Sequence, residues 1–167
     1  LVTDVGVIAR EGSTAVIPRA EMAFGYDTSR LQRSREVLVW AEFHVSAGEA
    51  ETLRRTARDS LAYRKRTQPL ETPSAGCIFQ NPDPARDPLP PDVPPSAGAL
   101  VDRAGLKGRR LGGARISPTH ANFLLNDGAA RAADIRALID LARQTVRDRF
   151  GLDLREEIVS LGEFPHG

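Results

Sequence analysis

The sequence predicts a chain of α+β class, and three observations carry that expectation. Apolar and β-branched runs at 1–8, 14–17 and 37–45 read as strands. Two stretches, 48–66 and 134–150, repeat their apolar residues at helical spacing. Between them lie shorter strand-like runs and a proline-dense segment with no period at all.

Taken in order, the first strand (1–8) turns at Glu11-Gly12 into a second (14–17), and such a bare hairpin must pack on something else to be stable. Phe24 to Arg30, F-G-Y-D-T-S-R, breaks regularity at Gly25 and offers Tyr26, Asp27, Thr28 and Ser29 on a loop. The run from Val37 to Val45 is a strand with Glu42 and His44 opposite Phe43 and Val45, which places His44 in solvent. Ala50, Leu53, Ala57 and Leu61 then line one face of an amphipathic helix. Its last turn carries Arg64, Lys65 and Arg66, cations that suit the negative end of a helix dipole.

The stretch R-T-Q-P-L-E-T-P-S-A-G-C-I-F-Q-N-P (66–82) organises the chain. Its three prolines exclude a helix, and Gly76 permits a turn or close approach that presents the single cysteine, Cys77, at the end of a loop, with the amides of Gln80 and Asn81 following. Taken alone, a lone cysteine most simply reads as a small buried hydrophobe. Asp83 to Pro95, with six prolines among its residues, predicts a mobile surface loop. Ser96 predicts the N-cap of a short helix over 97–104, closed by Gly105. G-L-K-G-R-R-L-G-G-A (105–114) reads as a flexible cationic loop whose backbone N–H groups, beside Lys107, Arg109 and Arg110, suit either phosphate or plain solvation, and it lacks the spacing of a P-loop. Short strands follow at 115–117 and 122–126, with His120 on the solvent-exposed loop between them and a turn at Asp127-Gly128. Asp134 to Phe150 is the clearest helix, with Ile135, Leu138, Ile139, Ala142 and Val146 as its stripe and Gly151 as its C-cap. The end alternates as a strand and puts Glu157 on one face with Val159 and Leu161.

Composition bounds the rest. With 41% apolar and 27% charged residues over 167 positions, the chain is long and apolar enough for an ordinary domain core. A net charge of +1 gives no global field to attract nucleic acid, and the basic loop lacks neighbouring aromatic residues for base stacking. One cysteine and three histidines form no zinc pattern, so no metal is expected. Neither a membrane span nor a leader is visible, which makes the cytoplasm the expected compartment. The start at Leu1, strand-like and without an initiator methionine, suggests a fragment.

P-S-A-G-C-I-F-Q-N-P, A-G-L-K-G-R-R-L-G-G-A-R-I-S, H-A-N-F-L-L-N and E-E-I-V-S-L-G, in that order, together with F-G-Y-x-x-S near Phe24, resemble the C-terminal half of the UDP-N-acetylenolpyruvoylglucosamine reductase (MurB) family of flavoenzymes. The resemblance implies that residues 1–60 are the tail of a FAD-binding domain, 61–152 a substrate-binding domain, and 153–167 a strand returning toward the flavin. It also implies an oxidoreductase of peptidoglycan precursor synthesis, and hence of cell wall biogenesis, cell shape and cell division. NADPH would reduce FAD, and the flavin would pass hydride to UDP-N-acetylglucosamine enolpyruvate, giving UDP-N-acetylmuramate. By motif, Cys77 takes the place of the family's proton-donating serine, and Glu157 that of the carboxyl group that stabilises the enolic intermediate. Tyr26, Gln80, Asn81, Lys107 and His120 fall at substrate-binding positions and Gly76 at the cofactor. Two departures stand out. Asp27 replaces a family arginine, for which Arg30 is the nearest substitute, and the N-terminal flavin-binding segment is missing, so tight FAD binding by this chain alone is not expected. The alternative is a non-catalytic UDP-sugar-binding module or decayed paralogue.

Overall fold

The structure, a computed structural model, describes residues 1–163, and its packing divides the chain into two units, Leu1–Arg55 and Thr56–Gly167. In the first unit β1 (Val2–Ile8) pairs antiparallel with β2 (Thr14–Pro18) on one side and β3 (Val37–Phe43) on the other. The expected turn closes the hairpin, with Gly12 at φ 90°. Alternation sends Val5 and Val7 into a small core with Ile17 and Met22, while Gly6 faces the other way beneath Trp40. A Cβ on Gly6 would lie 2.1 Å from the indole nitrogen, so only glycine lets the ring cover the strand there. β3 is a strand, but every residue except Ala41 is exposed on it, Val37 and Phe43 at 64% and 59%.

Gly25 and Thr28 bridge a tight turn that holds Asp27 at φ 56°, and α1 (Leu31–Ser34) follows. The predicted amphipathic helix is α2 (Ala50–Thr67), and none of its residues is buried; Leu53 and Leu61 are both more than half exposed.

The second unit is a four-stranded antiparallel sheet, β4 (Ser74–Cys77), β7 (Phe123–Asn126), β6 (Ala114–Ile116) and β5 (Arg110–Leu111) in that spatial order. Two helices, α3 (Ala97–Arg103) and α4 (Ala132–Phe150), share its core. The predicted stripe of α4 is the one it buries, through Leu138, Ile139, Ala142 and Val146, each worth roughly 1–3 kcal/mol of burial, the alanine least. Gly151 ends the helix in the left-handed region, and Ser96 caps α3 by accepting from the Ala99 N–H.

Four expectations need correction. The segment before Cys77 is a strand, because Ser74 to Cys77 find a ladder partner in β7 that proline-counting could not reveal. The glycine-rich stretch is a hairpin, β5–β6, and not a flexible loop. Gly113 packs so tightly that a Cβ would come within 2.4 Å of the Ala129 and Ala130 backbone, and its N–H faces the Asp134 carboxylate that also takes the Arg131 N–H (3.0 Å) at the start of α4. The loop over 83–95 is irregular, as expected, but pinned: Val93 joins the core and Asp87 takes both guanidinium arms of Arg155. The C-terminal stretch makes a single bridge, Phe79 with Glu156, instead of a strand. That bridge lies within the second unit, and the last residues of the expected 153–167 segment fall outside the described ones. No described helix is long and apolar enough to cross a membrane.

Candidate active site around Cys77

β4 carries one residue more than its partner between two aligned pairs. Ser74 lies opposite Leu125 and Cys77 opposite Phe123, three steps on one strand against two on the other. The excess is taken up as a bulge in which Gly76 sits at φ 88°, with no atom within 4 Å of where a Cβ would stand. The backbone beside Cys77 is therefore bare on that side, and the thiol is half-buried.

Past Cys77 the chain is held from both flanks. On one flank Asn122 acts as a strand in miniature. Its carbonyl accepts from the Ile78 N–H (2.9 Å), its side-chain oxygen from the Phe79 N–H (3.0 Å), and its amide donates to the Phe79 carbonyl (2.8 Å). On the other flank, Gln80 N–H donates to Arg155 O and Glu157 N–H to Ile78 O. This brings Glu157 close enough to act on Cys77 through space. Burial first, and the Glu157 charge second, push the thiol above its ordinary value, against the opposing effect of the Asn122 side chain. Near neutrality Cys77 is a thiol that holds its proton.

His120 completes the next layer. Ser117 Oγ accepts from the Thr119 and His120 N–H groups and sets the turn, and the ring then meets Phe123 edge-on at 5.0 Å. Gly98 makes room for it, since a Cβ there would stand 3.0 Å from His120 Cε1. The ring is half-buried, not solvated as expected of a loop histidine. Nδ1 accepts the Asn122 N–H (3.3 Å), which places the proton of the neutral ring on Nε2. Burial, and secondarily Lys107, lower its pKa from the ordinary 6.5. Because the unfolded chain binds that proton more readily, stability should fall as pH drops below 6.5, until the folded ring too is protonated. Denaturation of the chain at a series of pH values should show this slope, and His120→Gln should flatten it; an unchanged slope would show that the histidine is not its source.

The remaining predicted residues are placed as follows. Lys107 pairs with Asp102 (2.8 Å), and Arg110 and Arg115 both meet Asp127, so the basic stretch largely neutralises itself. Asn81 Oδ1 accepts from the Ala97 N–H at the start of α3 (3.1 Å). Gln80 is half-buried beside the Arg155 carbonyl. Tyr26 is exposed on the Gly25–Thr28 turn of the first unit. Arg30, the suggested substitute at Asp27, is committed to Glu36 through two hydrogen bonds (3.0 and 2.8 Å). Asp27 itself occupies a left-handed conformation, which a short polar side chain tolerates better than an arginine.

Sequence reasoning missed Asn122 as the support of Phe79, although an amide following His-Ala and entering an apolar run was a visible signal. It also missed a cleft of about 600 Å³ in the second unit, whose wall includes Lys65, Arg66, Gln68, Arg115, Ser117 and Thr119. The cations at the end of α2 thus line a concavity as well as capping a helix.

Residues 68–161 match the family described as UDP-N-acetylenolpyruvoylglucosamine reductase, C-terminal domain. The chain is similar to the UDP-N-acetylenolpyruvoylglucosamine reductase of Halalkalibacterium halodurans, at 36% identity over 98% of this chain and 51% of that protein. It is 41% identical to that of Heliobacterium modesticaldum over 95% of this chain and 48% of the relative. The crystal structure of the Thermus caldophilus reductase superposes with a TM-score of 0.73 at 33% identity, over 92% of this chain and 51% of the other. The chain spans about half the length of these relatives. Since the family match covers more than half of this chain, the chain belongs to the UDP-N-acetylenolpyruvoylglucosamine reductase family.

Proposed function

We propose that this chain supplies the proton-donating part of a flavin-dependent reduction in which UDP-N-acetylglucosamine enolpyruvate becomes UDP-N-acetylmuramate, a step of peptidoglycan precursor synthesis. The observation that carries the reading is the pairing of Cys77, half-buried and protonated, with Glu157 at the end of a bulged strand. Saturating the enolpyruvyl double bond requires a hydride at one carbon and a proton at its neighbour. The FAD of the reductase, reduced by NADPH, supplies the hydride when bound. The residues present fit one wall for such a ring, because the open face at Gly76 lets a flat group lie against the backbone next to the thiol.

Cys77 gives its proton to the carbon that the hydride does not reach. The raised pKa keeps the thiol loaded at neutral pH, and a thiol is still a far stronger acid than a serine hydroxyl. Glu157 stands where it can stabilise the enolic species before that proton arrives. Asn122 holds the strand that carries the thiol, and His120, neutral, stays fixed by the Asn122 N–H. The cleft, whose wall carries Lys65 and Arg66 beside the Asp127-paired Arg115, offers positive charge that suits the diphosphate of a sugar nucleotide, with Ser117 and Thr119 as hydrogen-bonding groups. Tyr26, Gln80, Asn81 and Lys107 remain assigned to substrate binding by their positions in the family motifs. No observation favours a non-catalytic UDP-sugar-binding module over this reading.

The test is NADPH oxidation by the flavin-loaded protein that contains this chain. Oxidation that requires UDP-N-acetylglucosamine enolpyruvate and yields UDP-N-acetylmuramate is expected. A protein that binds the sugar nucleotide without turning it over would overturn the proposal.

A further inference from the structure

The described part of the segment that bears Glu157 has no regular secondary structure, and Val159 and Leu161 are solvated, at 82% and 87% exposure. Two backbone hydrogen bonds, flanking the Phe79–Glu156 bridge, tie it to the stretch that follows Cys77. The bridge sets Glu156 opposite Phe79, and the Glu157 N–H on the Ile78 carbonyl keeps Glu157 next to the residue that follows Cys77, so whatever fixes Glu156 also holds Glu157 near the thiol.

Glu156 is held by a fork. Arg136 donates to both of its carboxylate oxygens at 2.7 and 2.8 Å, and Arg143 adds a third bond at 3.2 Å. Both arginines project from α4, the helix whose apolar stripe is anchored in the core, so the grip is on a rigid body. Bidentate guanidinium–carboxylate pairs fix orientation as well as distance. The pair is mostly shielded, with side chains 20% and 22% exposed. On the opposite side of the segment, Arg155 is held by Asp87.

We propose that Arg136, backed by Arg143, is a positioning residue: by gripping Glu156 it holds the adjacent Glu157 beside Cys77. The proposal rests on Cys77 and Glu157 acting as a pair, and it adds to that reading the device that sets their approach. It also explains why a carboxylate on an irregular terminal segment can have a fixed place beside a reacting group.

Cys77 is the only cysteine in the chain, so alkylation by iodoacetamide reads this one thiol. The midpoint of the pH–rate profile is measured, since a change in accessibility alters only the plateau. Glu157→Gln removes the charge that opposes the thiolate and should speed alkylation near neutral pH roughly threefold. Arg136→Met should do the same, because Glu157 is no longer held beside the thiol. Loss of the arginine's positive charge with unchanged geometry would act in the other direction and slow the reaction, so the sign separates positioning from direct electrostatics. Arg136→Lys keeps the charge but loses the fork, and should shift the midpoint in the same direction by less; it carries the test if the methionine variant does not fold. Arg147→Gln, which breaks the pair with Asp153 elsewhere on α4, should leave the profile unchanged. The proposal is overturned if neither Arg136 variant moves the midpoint toward lower pH, or if Glu157→Gln leaves it in place. Either result is independent of whether the flavin-loaded protein turns over sugar nucleotide, so positioning and function fail separately.

Discussion

Replacing Cys77 with alanine is expected to slow the oxidation of reduced flavin by UDP-N-acetylglucosamine enolpyruvate about 10²–10⁴-fold in the flavin-loaded protein, the usual contribution of a general acid. Reduction of the flavin by NADPH should proceed at the parent's rate, because no proton from position 77 enters that half of the cycle. Cys77→Ser should retain much of the second half-reaction, since a hydroxyl can fill the same place. If the thiol served only as packing, the order would reverse. A half-buried cysteine would tolerate alanine better than the more polar serine, and the change would be in stability, not in one half-reaction. Stopped-flow flavin absorbance distinguishes the two, and an alanine variant reoxidised at the parent's rate would remove Cys77 from the chemistry.

Asn122→Ala should strongly destabilise the second unit. The side chain is 2% exposed and satisfies both the N–H and the carbonyl of Phe79, itself buried. Alanine leaves two buried backbone groups without partners, at about 1–3 kcal/mol each, so a loss of roughly 2–4 kcal/mol is expected after partial relaxation. Asn122→Asp should not rescue it. A carboxylate can accept the Phe79 N–H but cannot donate to the carbonyl, and its charge would be buried. Urea unfolding measures the difference. A loss below about 1 kcal/mol would mean that water reaches Phe79 and takes over the role of the amide.

Much of the fold was legible because its signals are local. The stripe of α4, its glycine C-cap, the Ser96 cap of α3 and the first hairpin each depend on residues a few positions apart, and each formed where the pattern placed it. What escaped depends on partners far along the chain. β4 is a strand because β7 lies beside it, some 45 residues on, and the glycine-rich stretch is a hairpin because Asp134 and the Ala129–Ala130 backbone close over it. Periodicity at the C-terminus grouped Glu157 with Val159 and Leu161 as one face of a strand, but it could not show that the stretch forms no strand and finds a single bridge, Phe79 with Glu156. In the site, motifs pointed to Cys77 and Glu157, and the structure adds their mutual approach. Asn122, Glu156 and Arg136 went unassigned because nothing in the local pattern separates a supporting amide or ion pair from an ordinary surface one.

The extra residue at Gly76 lets three steps of β4 match two of β7. Leu125 and Phe123 lie two steps apart on β7 and share a face, so their partners Ser74 and Cys77 share one as well, although strict alternation over three steps would separate them. Removing one residue between Ser74 and Cys77 would therefore leave the thiol on its face, opposite Phe123, but would flatten the strand and take away the bare backbone at Gly76 beside it. The bulge governs access to the thiol and not its direction, so a single-residue deletion there would close the approach to position 77 even if every side chain named above were kept.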